Sequence, residues 1–246
     1  MSKAQVITIA EIKGGTGKTT TAAALAQAAI KDKKKVLLID LDAQANLTTL
    51  FGADPTRPGA VELLAGFPVN ELIQETAFNI DIIAGALNLA AETPQKGSLY
   101  RLETALTPIL SSYDLIIIDT PPAYGEMTYN ALQASSGVLI AMEANTSALQ
   151  GFYLITDLAK AAKKTNKKLK VLGCIITKYN PRPVITRQMR DIIAEKAQEN
   201  RCPLIAEIRQ GVAIQEAQAY RKNLFEYAPK SNAAQDYKEL YKKLFK

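Results

Sequence analysis

The 246-residue sequence contains no histidine and only two cysteines, Cys174 and Cys202. Without histidine, a Ser-His-Asp hydrolase and any His-ligated zinc site are excluded. The two cysteines lack a CxxC spacing, which excludes a thiolate zinc knuckle, and a single possible pair is too few for a disulfide framework in a chain this long. Hydrolytic chemistry must therefore come from carboxylates, lysines, backbone amides or a soluble metal ion. Long apolar runs are also missing: none approaches the roughly 18 residues of a membrane span. Met1-Ser2-Lys3 leads straight into an apolar stretch, leaving no room for a cleavable leader, so a cytoplasmic location is expected. The 11 prolines and 13 glycines are scattered, with no linker or repeat, and one domain over residues 1–246 is expected. Thirty basic against 24 acidic residues give a net charge of +6, a mild excess that is compatible with a polyanionic partner without pointing to one.

What the sequence does contain is an alternation of short apolar runs and longer helical patterns. Val6–Ala10, Val36–Ile39, Ile80–Ile83, Leu115–Ile118, Val138–Ala141 and Val171–Ile176 read as strands, several of them continuously apolar, as parallel strands covered on both faces are. Thr19–Ile30, Leu99–Leu110, Gly125–Ala134, Ser147–Lys163 and Ile185–Glu199 read as helices. Strand–helix alternation at this spacing predicts an α/β fold with a doubly wound, mostly parallel sheet flanked by helices. Ligands in such sheets bind at the carboxyl ends of the strands, and the chemical motifs fall there.

The first strand is followed by Lys13-Gly14-Gly15-Thr16-Gly17-Lys18-Thr19-Thr20, which opens an Ala-rich helix. Glycines let successive N–H groups converge on one concavity, and the helix N-terminus adds positive potential, so the segment is a phosphate loop. Lys18 is placed for the β- and γ-phosphates and the Thr19 hydroxyl for Mg²⁺. The second strand ends in Asp40-Leu41-Asp42, and two acids after a buried strand need a cation or solvent; an Asp-x-Asp that only caps a helix is the bland alternative. Another strand ends Ile116-Ile117-Ile118-Asp119-Thr120-Pro121-Pro122, the Walker B arrangement in which an Asp at the end of an apolar strand holds Mg²⁺.

The usual phosphate-loop spacing would place glycine at position 12, where this chain has Ile12. The variant Lys13-Gly-Gly-x-Gly-Lys-Thr-Thr resembles the deviant Walker A loop of the ParA/MinD ATPases, and Gln44-Ala45-Asn46 after the Asp-x-Asp resembles ParA more than MinD. The resemblance covers nearly the whole chain and is to the short form of ParA, without an N-terminal helix-turn-helix. It implies a P-loop ATPase of plasmid or chromosome partition using ATP and Mg²⁺, a sandwich homodimer formed with ATP, nonspecific DNA binding on the nucleoid, and slow hydrolysis stimulated by a ParB-like centromere-binding partner. By the same resemblance Lys13 crosses the dimer interface to the partner's ATP, Asp42 orients or activates the attacking water, and Asp40 supports the metal held by Thr19 and Asp119. Gly14, Gly15, Thr16, Gly17, Lys18, Thr19 and Thr20 cradle the nucleotide. The Thr177–Arg182 segment resembles the one lying against adenine, with Asn180 on the base; an Asn-Pro turn initiator is the alternative.

Nonspecific DNA binding needs lysines and arginines facing phosphates. Arg182, Arg187, Arg190, Arg209, Arg221 and Lys222 are the candidates. Lys160, Lys163, Lys164, Lys167, Lys168 and Lys170 form a denser cluster that also reads as a solvated helix end. Two departures from the family stand out. Ile208–Ile214 lacks the usual proline and later basic residue, and Ala10-Glu11-Ile12 replaces a common Asn-Gln. The last helix, Asp236–Lys246, gathers Tyr237, Leu240, Tyr241, Leu244 and Phe245 on one face beside Lys238, Lys242, Lys243 and Lys246. Such a face either packs on the domain or binds a membrane surface, as in the MinD branch; membrane binding is not the expectation. A metabolic P-loop enzyme, such as a nitrogenase iron protein or dethiobiotin synthetase, is a further class, although Cys174 and Cys202 do not fall at the iron protein's cluster positions.

Overall fold

Continuously apolar runs form strands here because both faces of the sheet are covered. The computed structural model describes residues 4–86 and 98–246. All six anticipated strands are present: β1 (Gln5–Ala10), β2 (Val36–Asp40), β4 (Asp81–Ile83), β5 (Leu115–Asp119), β6 (Gly137–Glu143) and β7 (Lys170–Tyr179). Two further strands, β3 (Ile73–Glu75) and β8 (Leu204–Arg209), close the edges. The eight strands lie in the order β3-β4-β2-β5-β1-β6-β7-β8. Neighbours are parallel except β3 and β4. The two unanticipated strands have weak patterns for a physical reason. β3 has only three residues, and β8 is an edge strand with Ile208 as its only buried side chain.

Helices cover both faces. On one face α1 (Lys18–Lys31) packs with α2 (Asn46–Phe51), α8 (Val212–Ala219), α9 (Leu224–Tyr227) and α10 (Asn232–Phe245) around Ile7, Ile9, Leu38 and Ile117. The alanines of α1 bring its backbone close to the sheet, and Leu25 is fully buried. On the other face are α3 (Ala60–Ala65), α4 (Arg101–Leu106), α5 (Glu126–Ala134), α6 (Ala148–Ala162) and α7 (Val184–Glu199).

The helix expected over Leu99–Leu110 is instead α4 flanked by 3₁₀ turns at Ser98–Tyr100 and Thr107–Ile109. Pro108 lies in the second turn and has no N–H to continue an α-helical ladder. The last helix starts earlier than its apolar stripe suggests, because the Ser231 hydroxyl accepts from the Ala234 N–H and sets the N-terminus there. Its apolar face is covered: Tyr237, Leu240 and Tyr241 are buried against the α1 side of the core, and the Tyr237 hydroxyl lies 3.1 Å from that of Thr21. Among its lysines, Lys242 pairs with Glu239, Lys243 donates to the Ile205 carbonyl and Lys246 pairs with Asp32. The residues that a membrane would take up are those holding the helix to the domain.

Candidate active site

β1 runs between β5 and β6, and the loop that follows it opens at the carboxyl end of the sheet. Gly15 and Gly17 turn the chain with φ of 75° and 84°, in the left-handed region that glycine enters without strain. Gly17 has a second constraint, since a Cβ there would lie 3.3 Å from the Thr177 side chain. The end of β7 braces the loop. Thr177 Oγ1 donates to the Thr16 carbonyl at 2.6 Å, and Lys178 Nζ donates to the Gly15 carbonyl at 2.6 Å while pairing with Glu143 at 2.8 Å. α1 begins at Lys18 with no side-chain cap and no acid in its first turn, so its leading N–H groups and dipole are left for an anion.

Lys18 is buried at 6% exposure, and its Nζ donates to the Lys13 carbonyl at 3.2 Å. Burial lowers its ammonium below the ordinary lysine range, against the opposing charges of Asp119, Glu11 and Asp42. Lys13 is exposed at the loop mouth, where its Nζ donates to Ser147 Oγ at 2.9 Å. Gly14 lies beside Pro122. Thr20 leans away from the loop, its Oγ1 accepting from Gln218 Nε2 at 3.1 Å.

The three aspartates have different environments. Asp40 and Asp119 are register partners on β2 and β5. Asp40 is fully buried with its oxygens engaged: Oδ1 accepts from the Asp42 N–H, and Oδ2 from both the N–H and hydroxyl of Thr48 at 2.9 and 2.8 Å. Burial raises its carboxyl, with those bonds working the other way. Asp42 is half-exposed and accepts from the Gln44 N–H at 3.0 Å. Asp119 is buried with neither oxygen in a completed hydrogen bond. Its carboxyl is pushed up to about 8, by burial first and the Asp40 charge second, with Thr19 and Lys18 pulling it down. An orphaned carboxylate beside a lysine, a threonine and an uncapped helix N-terminus fits a divalent cation on a polyphosphate, which would supply the missing partners.

Asn180 is half-buried at the same end of the sheet, and its side chain accepts from the Arg182 N–H at 3.1 Å. The basic residues are not gathered into one patch. Arg182 is exposed, whereas Arg187 folds onto the Pro181 and Arg182 carbonyls. Arg190 pairs with Glu207 and Asp191, and Arg209 forms a forked pair with Asp236. Arg221 and Lys222 line a separate cleft of about 700 Å³ with Ile30 and Phe78, and Lys222 lies over the Tyr227 ring. Lys160, Lys163 and Lys170 line another cleft with Arg201, at the end of the sheet away from the phosphate loop, and Lys160 pairs with Asp157.

Ser147, Thr177 and Lys178 contact the loop from distant parts of the chain, and no local sequence signal marks those contacts. Glu11 was noticeable only as a departure from a pattern.

An AAA domain family profile matches residues 4–171, and that of the 4Fe-4S iron sulfur cluster binding proteins, NifH/frxC family, matches residues 130–246. The chain is 32% identical over 246 residues to the chromosome-partitioning ATPase Soj of Thermus thermophilus, covering 97% of this chain and 94% of that one. It is 31% identical to the chromosome partitioning protein ParA of Myxococcus xanthus, covering 98% of this chain and 88% of that one. Among solved structures, it is similar to a Mycobacterium smegmatis cobyrinic acid a,c-diamide synthase with bound ATP analog and magnesium, with a TM-score of 0.83, 27% identity and coverage of 97% and 93%.

An iron–sulfur cluster does not fit the residues present. Cys174 and Cys202 are fully buried, the Cys174 thiol donates to the Cys202 carbonyl, and the neighbouring Cys202 thiol together with burial pushes the Cys174 thiol up, away from the thiolate that iron requires. Among the described residues no group of three or more His, Cys, Asp or Glu could hold a metal by itself. A cation at Asp119 would therefore need phosphate oxygens and water to complete its coordination shell.

Proposed function

This chain belongs to the ParA-type partition ATPases, and on that footing we propose that it is a nucleotide-switched ATPase of plasmid or chromosome partition. It binds Mg-ATP at the phosphate loop and pairs with a second copy as a sandwich dimer in the ATP state. The dimer holds DNA without sequence preference, and a ParB-like partner stimulates slow hydrolysis. The carrying observation is Asp119, a buried carboxylate beside Thr19 at the start of α1 with neither oxygen in a completed hydrogen bond. Keeping such a group has a cost that a bound cation removes.

In this mechanism Lys18 leaves the Lys13 carbonyl for the β- and γ-phosphates, and the Gly14–Thr20 backbone cradles them. Thr19 and Asp119 hold Mg²⁺, which when bound neutralises phosphate charge. Asp40 is committed to α2 by its bonds to Thr48, and contributes its charge beside Asp119. Asp42 is free on its outer side and half-exposed, as a residue that orients the attacking water must be. Lys13 is presented on the outside of the loop, within reach of a second copy. Asn180 takes the adenine edge.

Pairing through this end of the molecule is supported by exposed apolar side chains around the carboxyl ends of the strands. Tyr124, Val184, Ile185 and Val212 are each more than half exposed. Arg182 lies among them with an exposed side chain and is the candidate DNA contact at this end of the sheet.

Light scattering and duplex-DNA binding, each with ATP, ADP or no nucleotide, test the proposal. ATP-dependent dimers that hold random-sequence DNA in a salt-sensitive way are expected. Asp42→Ala should accumulate that dimer while losing hydrolysis, and hydrolysis at the wild-type rate would remove Asp42 from its role. Binding to anionic liposomes without DNA binding would instead favour a membrane-cycling ATPase.

A further inference from the structure

Glu11 follows β1 directly, is 2% exposed, and has no part in the mechanism above. Its Oε1 accepts from the Ile12 N–H at 2.8 Å and the Lys13 N–H at 3.4 Å, while Oε2 is buried without a partner. The recess it occupies is made by α6. A Cβ on Gly151 would overlap Glu11 Oε1 and fall 2.8 Å from its Cδ, so the helix offers no side chain where the carboxylate lies. Burial raises this carboxyl above the usual range, while the two amide bonds and the charges of Lys18 and Lys13 work the other way.

Lys13 is consequently held at three points. Glu11 accepts from its N–H, its carbonyl accepts from Lys18 Nζ and Thr16 Oγ1, and its Nζ donates to Ser147 at the start of α6. When Lys18 moves to a phosphate the carbonyl keeps only the Thr16 hydroxyl, and the third hold is released when Nζ reaches outward. The Glu11 bond to the N–H, made to a buried carboxylate, can persist through the cycle beside it.

We propose that Glu11 is a positioning residue for Lys13: its carboxylate, seated against Gly151, clamps the Ile12 and Lys13 amides and so aims the Lys13 side chain out of the loop mouth. The purpose of the clamp rests on Lys13 being the residue that crosses to the partner's ATP. The clamp itself is measurable without that premise. A charged acceptor bonds amides more strongly than a neutral one, but a glutamine of equal length keeps the geometry, whereas alanine leaves both amides unpaired.

The experiment combines amide exchange with a double-mutant cycle. In the nucleotide-free protein, Glu11→Ala should speed exchange at Ile12 and Lys13 by about tenfold, the loss of roughly one charge-assisted bond, and Glu11→Gln should leave it near wild type. Gly151→Ala, which displaces the carboxylate without removing it, should speed exchange at the same amides and keeps the test open if Glu11→Ala folds poorly. With ATP, Glu11→Ala should weaken dimerisation about as much as Lys13→Gln, and the double variant should be no weaker than Lys13→Gln alone. Nucleotide affinity of the monomer should change little. Unchanged exchange at Ile12 and Lys13 in Glu11→Ala and Gly151→Ala overturns the clamp. So does a double variant weakened by the product of the single effects, which a merely structural carboxylate would give. If the wild type forms no ATP-dependent dimer, the role of Lys13 fails, and the exchange data alone decide the clamp.

Discussion

The Thr177 hydroxyl donates to the carbonyl of Thr16 across 2.6 Å, fastening the carboxyl end of β7 to the phosphate loop. Lys178 adds a second tie to Gly15, in a left-handed conformation at φ 50°. The loop is thus shaped from outside as well as by its own glycines. Thr177→Val removes the hydroxyl while keeping the shape, and should weaken ATP binding about fivefold, the scale of one net hydrogen bond. Gly17→Ala should be more damaging, because φ of 84° costs a side chain about 1–2 kcal/mol, and the new Cβ meets Thr177. Calorimetric titration with ATP checks both; a Gly17→Ala protein binding ATP like wild type would show that the loop relaxes freely.

The bonds between Asp40 and Thr48 give a prediction about stability. The Thr48 hydroxyl donates to Asp40 Oδ2 and accepts from the Gly85 N–H, all in the buried interior. Thr48→Val leaves a buried N–H unpaired and removes a bond to a carboxylate, so unfolding free energy should fall by about 2 kcal/mol. Urea denaturation with an unchanged slope is the check. A loss near zero would mean that water replaces the hydroxyl there.

The pH dependence of the nucleotide-free protein should follow Asp119. Its folded carboxyl is raised from 3.8 to about 8, so between those values the folded chain holds more protons than the unfolded chain. Stability contributed by this group is therefore fully present at acid pH and declines as pH rises towards 8. Asp40 and Glu11 are raised by burial and act in the same direction, while Lys18 is lowered and acts oppositely towards alkaline pH. Melting temperatures should fall from about pH 5.5 to 8.5 without nucleotide, and less steeply in Asp119→Asn. Mg-ATP should reduce the wild-type slope, because a cation holds the carboxylate ionised. Equal slopes for wild type and Asp119→Asn would place the titration elsewhere.

Sequence spacing reveals the parts of the site that are local and hides those that are not. The phosphate loop and the aspartates at the ends of β2 and β5 are legible because strand–loop–helix order places them at one end of a parallel sheet. The brace from Thr177 is not, since it joins residues 161 positions apart. Asp40 was legible as an acid near a cation, but its side chain turns to α2, a short helix without a periodic pattern. The apolar stripe of α10 could be read for a membrane or a core, and only packing against α1 decides between them. The arginines were the least legible, because a basic residue in sequence carries no mark of whether an acid is folded against it.

Arg209 and Arg182 make that last point testable. Arg209 donates three side-chain bonds, Nε to both oxygens and Nη2 to Oδ1, and its own N–H to Asp236, whose side chain is only 14% exposed. The fork fixes the end of β8 to α10, and its guanidinium is already matched by a carboxylate, so it has little charge to offer a phosphate. Arg182 has an exposed side chain near the nucleotide end of the sheet. Arg209→Ala should lower stability by about 1 kcal/mol and leave the salt dependence of DNA binding unchanged at temperatures where it is folded. Arg182→Ala should leave the melting temperature unchanged and reduce the slope of log K against log salt by about 0.9 for each phosphate it no longer neutralises. DNA-binding titrations across a salt series, run on both variants in the ATP state, separate the roles. A reduced slope for Arg209→Ala with none for Arg182→Ala would mean that the Asp236 pair opens on DNA and that the surface lies along β8 and α10.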